Sequence, residues 1–456
     1  MGAITRFKAI MVILYLSGNI LYIVVPTASR TEISTRAAIM SAINLIPLLC
    51  GPRLALASEM LGISLRTHFG IHKWIGRTAI AEALLHIIIS VISEQPFAWT
   101  AMKLSGVIGG SSLGLLFVFS LHLLRDIMYE WFPRSHLILT AVVLVALWFH
   151  LPSKKLVARS FFLAGVILWT VVTVLHWVHF TFRNIASGRI LAKARVMGLP
   201  GAMKVAVNVA RPWRVKAGQY IFLSIPAAEI TSVLQSHPFL IVWWERNMDG
   251  LTIFLLVDPT RRFANKLDGL QNKKLVSLID GPYGLEHNFG EYGTVLMFAT
   301  GLGIAGHMLY IRELVSGYNS CDVSTRRIVL IWQVDDRGIL NMHLYVPWML
   351  DDVDSDEEIE KPALGKPRVK NYGEHDMLDK HSGTPDITEI VKTQIKGKMG
   401  RMIVSVCSSN IMTDQVRREV QRNVSAGVRF VELDYQPPPL NTNVELDMDF
   451  SCKGMP

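Results

Sequence analysis

Between Arg66 and Leu151, two apolar runs of about the length needed to cross a bilayer each carry a pair of histidines at one spacing. His72 and His86 stand 14 residues apart in the first, and His136 and His150 stand 14 apart in the second. On an α-helix, 14 steps make about four turns, so both imidazoles of a run point to nearly the same side, roughly 21 Å apart along the axis. Two such helices side by side offer four imidazoles as two stacked pairs, one near each membrane face. That is a frame for two haems, each held by one histidine from either helix. Ionisable residues inside a span are costly and rarely idle. A spacing repeated in two spans sets these four apart from His68, His122, His176 and His179, which lie at run ends and read as interfacial or backbone-bonded. Glu82 is a carboxylate in mid-run, one turn before His86.

Further apolar runs at about 7–25, 38–60, 75–93, 106–124, 136–151 and 159–182 predict six spans. The first resembles a signal core with VPTAS as a loose cleavage site, but it is long for one and is read as an uncleaved span. Arg66, Lys73, Arg77, Arg125, Arg134, Arg183, Arg189, Lys193 and Arg195 mark one face as cytosolic, against Lys154, Lys155 and Arg159 on the other. Spans three and five then run in the same direction, pairing His72 with His136 at the cytosolic face and His86 with His150 at the outer one. The formal net charge of +9 is concentrated around the spans, which suits anionic headgroups of membrane lipid and not nucleic acid. Four scattered cysteines, Cys50, Cys321, Cys407 and Cys452, have neither metal nor disulfide spacing.

From about Ile190 the composition becomes that of a soluble protein. KVAVNVARPWRV, GQYIFLSIP, SHPFLIVWWE, LTIFLLVD and LVSLIDGPYG alternate apolar and polar positions between turn residues, predicting a small antiparallel β-barrel of about six strands. From Gly293 the order becomes strand, glycine turn, helix, then further strands in RRIVLIWQV and MIVSVC, which predicts a parallel α/β domain. The acidic and polar stretch 351–396 reads as a disordered insertion, and the proline-rich tail 436–456 as loose. GLGIAG, Gly301 to Gly306, follows the strand VLMFAT and opens a helix, where backbone N–H groups can meet a pyrophosphate. No general-base, nucleophile or metal-hydrolase motif is found.

Taken together, these parts resemble the ferric reductase family of fungal type, relatives of the NADPH oxidases, from about Asn44 to Tyr435. The run NLIPLLCGPRLALASEMLGISLRTHFGIHKWIGR is similar to that family's second span and histidine–tryptophan–glycine–arginine signature. The resemblance implies a six-helix transmembrane haem domain over 1–183 and an antiparallel β-barrel FAD domain over 188–288. A ferredoxin-reductase-like α/β NAD(P)-binding domain would occupy 291–435. It places two haem b on His72, His86, His136 and His150, and FAD against His237, Pro238 and Phe239 with Gly281, Pro282, Tyr283 and Gly284. Arg211-Pro-Trp and Gly218-Gln219-Tyr220 match the strands before HPF. NADPH, or NADH, would meet Thr300, Gly301, Gly303, Ile304, Ala305, Gly306 and Cys407.

The implied activity is electron transfer from cytosolic NAD(P)H to ferric chelates or siderophores, with cupric ion as another acceptor, across the plasma membrane. The flavin links a hydride donor to one-electron irons. An oxidase making superoxide, or a degenerate haem or flavin sensor or assembly partner, fits the same parts, and an iron-permease partner or self-association stays open. The chain departs from the family at three places. Arg262-Phe263-Ala264 replaces a glycine–phenylalanine–threonine turn, and Cys407-Ser408-Ser409 replaces cysteine–glycine–proline. Asp335 and Asp336 follow RRIVLIWQV where an arginine is expected, which favours an unphosphorylated ribose, with Arg337 and Arg326 nearby. The resemblance sets Tyr435 where the family has a late aromatic over the flavin, with plain packing as the other reading.

Overall fold

The computed structural model describes residues 6–26, 29–49, 54–93, 99–121, 123–124, 131–151, 156–186, 189–199, 201–228, 237–248, 250–258, 262–334, 338–345, 370–372, 378–381 and 385–433. Two compact units are present, one ending at His179 and one running from Phe180 to Pro437.

The first unit is helical: α1 (Arg6–Val24), α2 (Arg30–Leu48), α3 (Leu54–Leu61), α4 (Leu65–Ser93), α5 (Ala101–Phe119), α6 (Phe132–His150) and α7 (Leu156–Asn184), whose last turn belongs to the second unit. Among the described residues, five stretches are long and apolar enough to cross a membrane: Phe7–Val24, Leu65–Ser93, Ala101–Phe119, Phe132–His150 and Arg159–Asn184. The span expected over 38–60 is divided between α2 and α3. Pro47 in the last turn of α2 lacks the N–H that would continue the ladder, and Pro52 follows a glycine in the interval. α2 is the least apolar of the long helices in this unit because its polar side chains face a neighbour. Ser34 Oγ meets His86 Nδ1 at 2.9 Å, Ser41 Oγ donates to Ala79 O at 2.9 Å, and Asn44 Nδ2 donates to Glu82 Oε2 at 2.9 Å. Ser34 beside His86, Ser41 beside Ala79 and Leu48 beside Gly76 make α2 and α4 antiparallel. Arg36 donates to the carbonyls of Tyr22 and Val25, satisfying acceptors at the end of α1.

The second unit holds two seven-stranded sheets. Its short opening ribbon pairs β1 (Ile185–Ala186) with β2 (Arg189–Ile190). β3 (Ala192–Leu199), β4 (Ala202–Asn208), β5 (Tyr220–Ser224), β6 (His237–Leu240), β7 (Trp243–Asn247), β8 (Gly250–Val257) and β9 (Lys274–Tyr283) form an antiparallel half-barrel in the order β6-β5-β9-β3-β4-β8-β7. Its edge strands β6 and β7 are successive pieces of one run. Ile241 N–H bonds to Gln219 O on one side and Val242 N–H to Phe254 O on the other. Helix α8 (Arg262–Asp268) sits between β8 and β9 in the chain.

The nucleotide-type sheet comprises β10 (Thr294–Thr300), β11 (Arg327–Val334), β12 (Gly338–Tyr345), β13 (Lys370–Tyr372), β14 (Leu378–His381), β15 (Met402–Cys407) and β16 (Val428–Glu432), in the order β13-β14-β12-β11-β10-β15-β16. The four strands β11-β10-β15-β16 are parallel, and β12 to β14 extend the sheet antiparallel. Helices α9 (Ala305–Asn319), α10 (Ile387–Lys396) and α11 (Asn410–Arg422) belong to this part. One buried cluster joins Val205, Ile221 and Leu255 of the half-barrel to Val295, Leu309 and Ile403. Another joins Leu296 and Val404 to Val391 of α10 and Val416 of α11.

Part of the stretch expected to be disordered over 351–396 is therefore ordered helix. Asp386 caps α10, accepting from Glu389 N–H at 3.1 Å, and Ile387 and Val391 are buried. Asp335, Asp336, Arg337, Tyr435, His122, Cys50, Cys452 and the tail 436–456 lie outside the described residues.

Candidate electron-transfer site

The four histidines of the apolar runs stand as two pairs on α4 and α6. The ring centroids of His72 and His136 are 6.2 Å apart, and those of His86 and His150 are also 6.2 Å apart. An antiparallel arrangement would have matched His72 with His150, so α4 and α6 run in the same direction. Two imidazoles binding one metal ion from opposite sides, each nitrogen about 2 Å from it, place their centroids about 6 Å apart. The separation fits an iron held between each pair.

The surroundings of the pairs differ. His86 Nδ1 is engaged by Ser34, through Oγ at 2.9 Å and the backbone carbonyl at 3.1 Å. His150 Nδ1 donates to Met102 O at 2.9 Å. Its ring lies against α5 so closely that a Cβ on Gly106 would fall 2.6 Å from Cε1 and from Nδ1. A glycine is needed there for contact, not for backbone freedom. In both rings the engaged Nδ1 leaves Nε2 as the ligating atom. His72 Nδ1 and His136 Nδ1 are instead buried with no partner among the described residues, and Phe132 packs beside His136 at 5.6 Å between ring centres. His68 shows what a structural histidine looks like. It is 4% exposed and its Nδ1 lies within hydrogen-bond distance of Ser58 Oγ and Leu54 O.

In the second unit, the HPF and GPYG residues come together around one strand. β5 pairs Leu223 with His237, Phe222 with Pro238 and Ile221 with Phe239 on one side, and Tyr220 with Tyr283 on the other. His237 and Pro238 are half-buried, whereas Phe239 is 2% exposed and packs in the core on Phe263. Its side chain lines the barrel interior, so His237 and Pro238 are the motif's accessible part. Ala264 is also in that core. Gly281 and Gly284 have φ of +126° and +122°, and a Cβ on Gly284 would fall 2.4 Å from Gly218 O. Tyr283 is buried, its hydroxyl donating to Asp280 at 2.6 Å. Arg183 Nε supports this turn by donating to Gly281 O at 3.0 Å.

Thr300 ends β10, Gly301–Ile304 form a 3-10 turn, and Ala305 and Gly306 open α9. Cys407 ends the adjacent strand β15 and is buried. A Cβ on Gly303 would fall 2.0 Å from Cys407 O, and one on Gly306 would fall 2.7 Å from Cys407 Sγ. These glycines thus let α9 dock on the end of β15, which brings all seven predicted nucleotide residues to the carboxyl ends of parallel strands. Thr300 Oγ1 accepts from Ser409 N–H at 2.9 Å, and Trp332 Nε1 donates to Gly301 O at 2.8 Å. Trp332 was not foreseen. Arg326 precedes β11, with its guanidinium on the carbonyls of Val323 and Thr325, at the opposite end of the strand from the expected ribose. It is removed from the residues able to meet a 2′-phosphate.

Comparison with known proteins agrees with this division. Residues 37–147 match the ferric reductase like transmembrane component, and residues 189–287 match an FAD-binding domain. The ferric/cupric reductase transmembrane component 2 of Saccharomyces cerevisiae is 23% identical over 402 residues, covering 80% of this chain and 55% of the relative. The ferric reductase transmembrane component 3 of the same yeast is 25% identical, covering 78% and 54%. Over most of its length the chain is similar to the ferric reductase family. A third member, the ferric/cupric reductase transmembrane component 1 of Candida albicans, is 24% identical and covers 86% and 55%. The chain spans about half the length of these relatives. It is an integral membrane protein of an oxidoreductase family and carries an FAD-binding domain.

Proposed function

We propose that this chain conducts electrons across the plasma membrane, from cytosolic NAD(P)H to ferric chelates outside. The observation that carries the reading is the equal 6.2 Å separation of two histidine pairs on the same two helices. When bound, NAD(P)H supplies a hydride, FAD divides it into single electrons, and two haem b carry those electrons singly.

The chain's own residues do the positioning. His72 and His136 hold the inner haem, and His86 and His150 hold the outer one. Ser34 and the Met102 carbonyl fix the outer rings, and Gly106 makes space for His150. His237, Pro238 and the turn Gly281–Gly284 receive FAD. Thr300, Gly301, Gly303, Ile304, Ala305, Gly306 and Cys407 receive the nicotinamide nucleotide. Held by two imidazoles each, haems at these pairs would supply one-electron transfer there.

α2 is taken as a sixth crossing, because it lies antiparallel along α4 and turns its polar groups inward. Six crossings put both chain ends on one side, which the charges of Arg66, Lys73, Arg77 and Arg183 make the cytosolic one. An anaerobic reduced-minus-oxidised spectrum of the purified chain tests the conductor. Two bis-imidazole haems that bleach with NAD(P)H are expected, and a colourless protein would overturn it. Ferrous-chelator colour that survives superoxide dismutase identifies ferric chelate as acceptor; a signal abolished by dismutase assigns oxygen instead.

A further inference from the structure

Glu82 lies on α4 one turn before His86 and is 5% exposed. Four helical residues turn through about 400° and rise about 6 Å, so carboxylate and imidazole share a face of α4. Glu82 Oε2 accepts from Asn44 Nδ2 of α2 at 2.9 Å, while Oε1 is buried with no partner among the described residues. Asn44 is itself held by α1. Its Nδ2 also donates to Asn19 Oδ1 at 2.9 Å, and the Tyr15 hydroxyl donates to Asn44 Oδ1 at 2.9 Å. Asn19 is fixed in turn by donating to the Tyr15 carbonyl at 2.7 Å.

Three helices thus converge on one carboxyl group. The titratable group facing it from α1 is Tyr15. At this level α2 presents only Asn44 and Ser41; its Glu32 and Arg36 pair with each other near the helix start. On α4 the nearest titratable neighbour is His86. Glu59 of α3 and Lys103 of α5 lie near the ends of their helices. The matched ferric reductase segment begins at residue 37, so Tyr15 and Asn19 come from a helix outside it.

A charge in a low-dielectric interior is expensive unless one of opposite sign accompanies it. An electron reaching iron at the outer pair is such a charge, and a proton is its simplest companion. We propose that Glu82 accepts a proton as the outer haem is reduced and releases it as the electron moves on. The inference rests on the haem reading above. The electron supplied by NAD(P)H through the flavin turns ferric iron ferrous, and one proton from water adds to a Glu82 carboxylate oxygen. When the acceptor takes the electron, the iron becomes ferric and the same O–H bond breaks, so no proton is consumed over the cycle. Oε1 is the oxygen placed to receive it, since Oε2 already accepts from Asn44.

The test is a spectroelectrochemical titration of the full chain in lipid nanodiscs between about pH 5.5 and 8.5, for wild type, Glu82→Gln and Glu82→Asp. In wild type, one of the two haem midpoints should fall as pH rises, by up to about 59 mV per pH unit, the value for one proton per electron. Glu82→Gln should flatten that slope with the Soret band unchanged, and Glu82→Asp should keep it. Redox-difference infrared spectra of wild type alone give a second readout: a carboxylic-acid carbonyl band should appear on reduction. A pH-independent wild-type midpoint, an undiminished slope in Glu82→Gln, or no such band overturns the assignment while leaving the haems intact. A wild type without a Soret band overturns the haem reading itself, and the inference with it.

Discussion

The inner and outer histidine pairs have the same ring separation, 6.2 Å, yet reach it by different means. The outer rings are held by hydrogen bonds to Ser34 and to Met102, with Gly106 cut away to admit one of them. Among the described residues the inner rings have no hydrogen-bond partner at Nδ1, and Phe132 packs beside His136. A hydrogen bond at Nδ1 makes an imidazole a more basic ligand and stabilises the ferric state. The difference teaches that two sites alike in spacing need not be alike in potential, and that only the outer site can be altered through neighbours of its ligands' far nitrogens.

The largest test replaces a ligand in each pair. His72→Ala and His86→Ala should each remove one haem, about halving the Soret absorbance per protein and leaving a different midpoint in each variant. Loss of both haems from either substitution would break the independence of the sites. Next in size is Gly106→Val, because even one added carbon meets the His150 ring. Overpacking of this kind costs roughly 1–3 kcal/mol. The outer haem should be lost or become high-spin in electron paramagnetic resonance, with the inner signal unchanged.

His307 supplies a control from the other unit. It is fully buried, with Nε2 on Phe298 O at 3.0 Å and Nδ1 near Ser405 Oγ at 3.3 Å, so both nitrogens are used and neither is left for a metal. His307→Ala should leave the Soret band untouched and lower the melting temperature of the reductase half. Burial holds the imidazole down to about 4, against the partial opposition of the Phe298 carbonyl. The unfolded chain, titrating near the ordinary 6.5, therefore binds the proton more readily. The stability this neutral group contributes should be complete above pH 6.5 and decline as pH falls toward 4, an acid loss that His307→Ala should lessen in thermal melts. The smallest effect is expected from Ser34→Ala. The backbone carbonyl of residue 34 remains beside His86, so the outer midpoint should rise slightly while the inner one stays fixed; an equal shift in both would erase the contrast.

Much of this was readable from residues alone. The pairing of His72 with His136 follows from equal spacing in two parallel runs, and the two kinds of sheet follow from alternation and from the strand–glycine–helix pattern. The interrupted second span was harder to see. Its polar residues, Ser34, Ser41 and Asn44, look like weakness in a hydropathy window and are in fact its contact face with α4. Gly106 was invisible because a glycine in an apolar helix carries no sign of what presses on it. Helix α10 could have been found. Asp386 and Glu389 form a capping pattern, and Ile387, Ile390 and Val391 recur at helical spacing, but the acidic run upstream masked them.

One small feature bears on how the protein can be divided. Asn184 uses its side-chain amide like a strand residue, donating to Ile279 O at 2.7 Å and accepting from Ile279 N–H at 2.8 Å. A soluble fragment begun at residue 188, where composition suggests a seam, would strip that edge of β9 and remove Arg183 from beneath Gly281. The scissors belong before Phe180, and a flavoprotein trimmed there should keep its yellow colour where the shorter one loses it.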